Sequence, residues 1–279
     1  MNEELFTIIV LSYNNLQYMV SCLESILEQD YASIEIIFAD DGSREFDKAM
    51  IERYISENKK DNLVNSIIYS NEMNLGTVKN INHALLLASG KYIKLIAVDD
   101  MLGNSRTLTD AHYYLSTAKN GIIVGDSIVC DSDMVPINKK PRFKQCMLNS
   151  MTPEELFKAL CMTNIIDAQG VFFRKDFFDV YGYFDEKYRL LEDWPKWLDV
   201  TSKGCVIEYG AFIAAKYRSD CGLGTGMNKM YLKDKKNTFK TFVLTNVKRI
   251  GLLYFFKCLM RFMITTSYSV RKIYSFLYR

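Results

Sequence analysis

Short, largely apolar runs alternate with amphipathic stretches along the N-terminal part of the chain. Residues 5–11 form such a run, which is typical of a strand buried on both faces of a parallel sheet, and similar runs occur at 34–39, 63–69 and 92–98. Between the first two runs, apolar residues recur at helical spacing over residues 16–27. Alternation of strands with helices of this length predicts right-handed crossovers and a largely parallel sheet flanked by helices. The predicted fold class is therefore α/β.

Acidic residues follow two of these predicted strands. Asp40 and Asp41 come directly after the second run, and Asp99 and Asp100 follow the fourth. Ligands of parallel α/β sheets bind beyond the carboxyl ends of the strands. Four carboxylates at one edge of the sheet would repel each other, so we expect a cation to lie among them. Oxygen ligands suit a hard cation such as Mg²⁺ or Mn²⁺ that is shared with substrate phosphates. The residues alone thus indicate a metal-dependent enzyme acting on a nucleotide or another phosphorylated ligand.

Composition excludes several other classes of protein. The 279 residues are 49% hydrophobic and 24% charged, which is typical of a globular chain. The first strand is followed by neither a GxGxxG nor a GxxxxGK loop, which disfavours a nicotinamide enzyme and a P-loop NTPase. Seven cysteines without CxxC spacing favour reduced cytosolic thiols over disulfides or a zinc site. We expect neither a transmembrane span nor a secretory signal.

Five motifs in the chain resemble those of the family 2 inverting glycosyltransferases, which have the GT-A fold. In chain order they are residues 6–14 (FTIIVLSYN), 39–43 (ADDGS), 74–76 (NLG), 98–100 (VDD) and the pair 182–186 (GYFDE) with 191–198 (LEDWPKWL). The resemblance covers residues 5–220 and implies a GT-A catalytic domain over residues 1–225. It also implies transfer of a sugar from a nucleotide-sugar donor to a hydroxyl group, with a divalent cation, Mn²⁺ or Mg²⁺, as cofactor.

The resemblance also assigns roles to individual residues. The nucleotide and diphosphate contacts that it implies are Thr7, Ser12, Tyr13, Asn14, Asp40, Asp41, Asp100 and Arg218. Asp99 would bind the metal ion. Asp193 would be the general base that removes the proton of the acceptor hydroxyl, and Glu192 would orient the site or bind the acceptor. The chain departs from the family pattern at Ala97, where the family usually carries the first acid of an Asp-x-Asp-Asp motif.

Two other functions remain open at this point. A nucleotidyltransferase-like enzyme uses a similar sheet, although it would carry a basic glycine-rich loop after the first strand. A non-catalytic sugar-nucleotide-binding or scaffold protein is compatible with the missing acid at Ala97. For an enzyme of this family, the expected donor is a UDP- or dTDP-sugar. The expected acceptor is a growing surface polysaccharide or a lipid-linked oligosaccharide, with no nucleic-acid partner, and a homo-oligomer is left open.

The charges of the chain are unevenly distributed. The net charge is +2, but residues 235–279 hold ten basic residues and no acidic one, whereas the preceding residues hold 25 basic and 33 acidic residues. Within 251–272 the apolar residues share one helical face, and Lys257 and Arg261 lie on the other. This pattern predicts a basic amphipathic helical tail, residues 226–279, that lies on an anionic membrane surface. The predicted location is cytoplasmic, peripheral on the inner face of the cell membrane. The alternative is a helix that packs its apolar face on the catalytic domain or on a second subunit.

Overall fold

The computed structural model describes residues 4–137, 143–219 and 228–266. Within these ranges, eight strands form one sheet in the spatial order β3-β2-β1-β4-β7-β6-β8-β5. The strands are β1 (Phe6–Ser12), β2 (Ile34–Asp40), β3 (Leu63–Ser70), β4 (Tyr92–Ala97), β5 (Met101–Leu102), β6 (Ile122–Cys130), β7 (Val171–Arg174) and β8 (Glu208–Arg218). The helices are α1 (Met19–Leu27), α2 (Lys48–Asn58), α3 (Thr77–Leu87), α4 (Thr107–Leu115), α5 (Pro153–Met162), α6 (Asp176–Tyr181), α7 (Asp193–Ser202), α8 (Lys229–Thr238), α9 (Val247–Ile250) and α10 (Leu252–Thr266).

The four strands predicted from the N-terminal pattern are confirmed, each to within one residue at either end. Strands β1, β2, β3 and β4 pair in parallel. In the second half the sheet is mixed, because β7 pairs antiparallel with both β4 and β6, while β6 and β8 are parallel. Because the first four strands are all parallel, the sheet is largely parallel, and the carboxyl ends of β1, β2 and β4 meet at one edge.

Helices pack on both faces of this sheet because its central strands are apolar on both sides. One core contains Phe6, Ile8 and Val10 with residues of α1 and α4. The other contains Ile9 of β1 with residues of α3, α5 and α7. Successive side chains of a strand point to opposite faces, so one apolar run supplies both cores. That explains why β1 is a continuous apolar run and does not alternate with polar residues.

The C-terminal helices share the second core. Phe239 and Val243, in a π-helical segment after α8, are buried together with Ile250 of α9 and Cys258 of α10. The ring of Phe262 stacks on Phe239, with 4.3 Å between the ring centroids. One face of α10 therefore packs on the rest of the molecule, while residues 267–272 of the predicted helix lie outside the described residues. No helix in the described part of the chain is both long and apolar enough to span a membrane.

Candidate active site

The end of β1 and the loop after β2 form one side of the candidate site. The Asp41 N–H donates to the Ser12 carbonyl at 2.8 Å, which joins the two strand ends. Asn14 has a positive φ of 53°, and its N–H donates to Ser43 Oγ at 2.8 Å. Ser12 is buried, whereas Tyr13 is 47% exposed. The structure thus brings Ser12, Tyr13 and Asn14 beside the second strand end, and the Tyr13 ring is available to a ligand.

Asp40 and Asp41 both accept hydrogen bonds from neighbouring loops. Asp40 is fully buried, and its carboxylate accepts from the Ser43 N–H and from the hydroxyls of Ser43 and Ser70. Asp41 accepts from the backbone N–H groups of Leu75 and Gly76, each at 2.8 Å, and from Asn71 Nδ2 at 3.0 Å. Both aspartates therefore fix the loops that border the site, including the Asn74–Gly76 turn.

Thr7, which the family resemblance assigns to the nucleotide, lies away from these residues. It stands near the beginning of β1, five residues before Ser12, so it lies roughly 16 Å away along the strand. Its side chain is fully buried. Its hydroxyl donates to Glu35 Oε2 at 2.6 Å and accepts from the Gly90 N–H at 2.9 Å. Thr7 therefore stabilises the opposite end of the sheet.

Asp99 and Asp100 follow β4 and are nearly buried, at 7% and 3% exposure. Arg218, at the end of β8, contacts both: its backbone N–H donates to Asp100 Oδ1 at 3.0 Å, and its Nε donates to the Asp99 carbonyl at 3.0 Å. Burial raises the pKa of both carboxyls, and together with the neighbouring charge of Asp99 it raises that of Asp100 to about 8. A bound cation would relieve both effects, so the pair favours positive charge at this point.

These two carboxylates fit a divalent cation that is shared with a ligand. In the part of the chain that the structure describes, no group of three or more acidic, histidine or cysteine side chains could hold a metal ion. Mg²⁺ at nucleotide sites is typically bound by one or two carboxylates together with substrate phosphates. Asp99 with Asp100 beside it meets that requirement, provided that the ligand brings its own phosphate oxygens.

Asp193 is the first residue of α7, and hydrogen bonds fix its side chain. Its Oδ2 accepts from Asn164 Nδ2 at 2.6 Å, and its Oδ1 accepts from the Trp194 N–H at 2.6 Å. Burial raises the pKa of Asp193, and burial with the adjacent Asp193 charge raises the pKa of Glu192 to about 8. Both groups are half-buried. A carboxylate with a raised pKa is a stronger base in its ionised form, which suits Asp193 to accepting a proton as a general base does.

Two further residues near the site carry only a weak signal in the sequence. Asp167 is one of them, and its charge acts both on Asp100 and on Asp193. Lys94 is fully buried in β4, and its Nζ donates to the carbonyls of Gln169 and Val171. Burial lowers the pKa of Lys94 to about 7, although the charges of Asp167 and Asp100 oppose that shift. The available signal is weak: Lys94 interrupts an apolar run, and Asp167 precedes another one.

Solved glycosyltransferase structures share this arrangement of sheet and helices. The S. aureus TarS 1-349 structure in complex with UDP matches with a TM-score of 0.62 at 18% identity, covering 95% of this chain and 73% of that one. The mannosyltransferase PcManGT from Pyrobaculum calidifontis, in complex with GDP-Man and Mn²⁺, matches with a TM-score of 0.57 at 15% identity, covering 97% and 78%. The fold is therefore of the GT-A type, as expected.

Sequence comparison identifies the family. The sequence model of glycosyl transferase family 2 matches residues 7–182, more than half of the chain, and the chain belongs to that family. A curated relative is the Escherichia coli UDP-Glc:alpha-D-GlcNAc-diphosphoundecaprenol beta-1,3-glucosyltransferase WfaP. It is 26% identical over 261 residues, which cover 91% of this chain and 92% of the relative. The resemblance drawn from the five motifs is confirmed.

Proposed function

We propose that this chain is an inverting glycosyltransferase in which Asp193 is the general base. The observation that carries the proposal is the Asp193 carboxylate, which is held by Asn164 and the Trp194 N–H and feels the charge of Asp167, as Asp100 does. In the proposed step, Asp193 takes the proton of the acceptor hydroxyl while that oxygen bonds to the anomeric carbon. The bond from that carbon to the donor phosphate breaks on the opposite face, and the nucleoside diphosphate leaves with the electron pair. A single displacement inverts the configuration and needs one base.

The donor would lie between the end of β1 and Asp99. Ser12, Tyr13 and Asn14, with the loops fixed by Asp40 and Asp41, would form the nucleotide side. Arg218 and Asp100 would lie near the diphosphate. Asp99 would hold a divalent cation, Mn²⁺ or Mg²⁺, together with the diphosphate, and that cation supplies positive charge where the leaving group gains negative charge. A UDP- or dTDP-sugar fits the family, and the structurally similar TarS was crystallised with UDP.

Thermal-shift measurements with UDP, dTDP and GDP, each with and without Mn²⁺, test the donor proposal directly. A nucleotide that binds only the native state raises its apparent stability, and we expect UDP or dTDP with Mn²⁺ to give the largest rise. Transfer is then assayed with the matching sugar nucleotides, beginning with UDP-glucose and a GlcNAc-diphosphate lipid, the acceptor class named for the E. coli relative. Binding without transfer or donor hydrolysis would instead indicate a non-catalytic sugar-nucleotide-binding protein.

We also propose that α10 rests on the inner face of an anionic membrane, where a lipid-linked acceptor would be found. The outer face of α10 carries an apolar stripe formed by Leu252, Leu253, Phe256, Met260 and Met263. Each of these residues is between 44% and 75% exposed. Lys257 and Arg261 are exposed and border this stripe at helical spacing. Apolar side chains flanked by basic ones are typical of helices that lie in a membrane interface. The opposite face of α10 packs on the core, so the helix belongs to the folded protein and can also meet a membrane.

Liposome flotation of the full-length chain tests this surface. Deletion of the tail is a poor test, because it would remove the buried Phe239 and Val243. The double variant Leu253→Ser/Phe256→Ser changes only exposed side chains, and we expect it to lose most binding to vesicles that contain phosphatidylglycerol. Leu86→Ser, at an equally exposed leucine of α3, is the matched control and should float like the wild type. Equal flotation of all three proteins would exclude the surface.

A further inference from the structure

The segment that leads into Glu192 and Asp193 is held by a single buried carboxylate of the C-terminal part of the chain. Asp234, in α8, is 1% exposed. Its Oδ2 accepts three successive backbone N–H groups, those of Arg189 at 2.9 Å, Leu190 at 2.7 Å and Leu191 at 3.3 Å. Successive N–H groups that converge on one anion fix the backbone of all three residues. Glu192 and Asp193 follow directly, so Asp234 holds the segment that immediately precedes α7.

The same segment contacts the donor side of the site. Arg189 Nη2 donates to the backbone carbonyl and to the Oδ1 of Asn74, both at 2.8 Å, and the Arg189 carbonyl accepts from the Val78 N–H at 3.3 Å. Gly76 lies so close that an added Cβ would stand 2.7 Å from the Arg189 carbonyl oxygen. This is the turn whose N–H groups bind Asp41. The Arg189–Leu191 segment is thus fixed between the donor turn and α8.

We propose that Asp234 is a positioning residue for the transfer reaction. By fixing Arg189–Leu191, it sets the distance between the Asp193 carboxylate and the donor turn, and therefore the approach of the acceptor hydroxyl to the sugar. Asn164 fixes the Asp193 side chain, while Asp234 fixes the backbone that carries it. This inference rests on the proposed role of Asp193 as general base. Because Asp234 belongs to α8, its positioning role also makes the C-terminal part of the chain a component of the active site.

Two substitutions in the full-length protein test the proposal. Asp234→Ala leaves three buried N–H groups without an acceptor, and we expect kcat to fall about 10²-fold, the typical effect of displacing a reacting group by about 1 Å. Asp234→Asn keeps one neutral acceptor, which binds N–H groups more weakly than a carboxylate does, and we expect a fall of about tenfold. UDP affinity should change less than about twofold. Asp199→Asn, an acid on the same helix as Asp193 that pairs with Lys203, is the matched control and should keep the wild-type kcat.

The rates are measured with UDP-glucose and the GlcNAc-diphosphate lipid, or with another donor and acceptor that the transfer assays identify as substrates. The melting temperature of each variant is measured in parallel. If Asp234 acts through Asp193, adding Asp234→Ala to Asp193→Asn should lower the remaining rate less than about twofold, because groups that act as a unit are not additive. An equal loss of kcat in both backgrounds would overturn the proposal, as would an unchanged kcat in folded Asp234→Asn. Should Asp234→Ala fail to fold, the same comparison is made with Asp234→Asn. A wild-type rate in Asp193→Asn would instead refute the proposed base.

Discussion

Asp193→Asn removes one carboxylate at the proposed centre of the reaction and leaves the shape of the side chain unchanged. In the wild type, the two carboxylate oxygens accept separate hydrogen bonds, from Asn164 Nδ2 and from the Trp194 N–H. An asparagine has a single acceptor oxygen, so one of these hydrogen bonds is lost. A lost hydrogen bond costs about 1 kcal/mol, but removal of a charge next to Glu192 offsets that cost. The variant should therefore fold normally.

The expected effect on the reaction is much larger than the effect on folding. Loss of a general base lowers turnover by roughly 10²–10⁴-fold, which corresponds to about 3–5 kcal/mol of activation free energy. Donor binding involves the other side of the site, so UDP affinity should be nearly unchanged. The assay is UDP release in single-turnover and steady-state measurements over a range of acceptor concentrations. A variant that transfers sugar at the wild-type rate would refute the assignment of Asp193.

The pH dependence of stability provides a second signature of the same substitution. Burial raises the pKa of Asp193, and burial together with the charge of Asp193 raises the pKa of Glu192 from 4.5 to about 8. Between pH 4.5 and about 8 the folded chain holds a proton on Glu192 that the unfolded chain releases, so the stability contributed by the pair falls as the pH rises. The melting temperature of Asp193→Asn relative to the wild type should therefore be higher at pH 8 than at pH 5. Loss of activity in parallel with lower stability at both pH values would mean that the substitution damages the fold.

Three further substitutions test the neighbouring elements. Asp99→Asn should reduce the effect of Mn²⁺ on UDP binding by calorimetry, and an unchanged Mn²⁺ dependence would exclude Asp99 as a ligand. Gly76→Ala should lower the free energy of unfolding, measured by urea denaturation, by more than about 1 kcal/mol, because Gly76 combines a φ of +94° with a close contact to Arg189. Gly204→Ala, at a φ of +87° with no atom near the added Cβ, is the control and should lower it less. Thr7→Val should lower stability by about 1–3 kcal/mol, because it removes one of the hydrogen bonds that Glu35 accepts and leaves the Gly90 N–H without the hydroxyl that accepts from it. UDP affinity should not change. Weaker UDP binding in Thr7→Val would instead support the expectation that Thr7 contacts the nucleotide.

The first half of the fold could be predicted because its residues follow a simple physical rule. A strand buried on both faces must be apolar throughout, and β1, β2 and β4 satisfy that rule over nearly their whole length. The same rule places the residues that come after these strands, such as Asp41 and Asp99, at one edge of the sheet. Helix α7 could also be placed, because its buried tryptophans, Trp194 and Trp197, lie at helical spacing.

Contacts between distant and irregular segments could not be predicted in this way. Asn164 lies outside any helix or strand, and only the packing of α5 against α7 brings it to Asp193. Thr7 matches the family motif in sequence, but the direction of β1 places it at the far end of the sheet. Asp234 is one acid in a lysine-rich helix, and such a pattern predicts a solvated surface. Its burial depends on the three N–H groups that it accepts, and these come from a segment more than 40 residues earlier in the chain.

The position of Asp234 changes how the C-terminal helices are interpreted. A separate membrane tail could move without consequence for the acids of α7, whereas α8 holds the segment that carries them. The helices that follow α8 are fixed to the same core through Phe239, Val243 and Ile250. If α10 rests on a membrane, the orientation of Asp193 relative to that membrane is therefore fixed by the fold. A lipid-linked acceptor, restricted to the membrane surface, could then present its hydroxyl to Asp193 from one direction only.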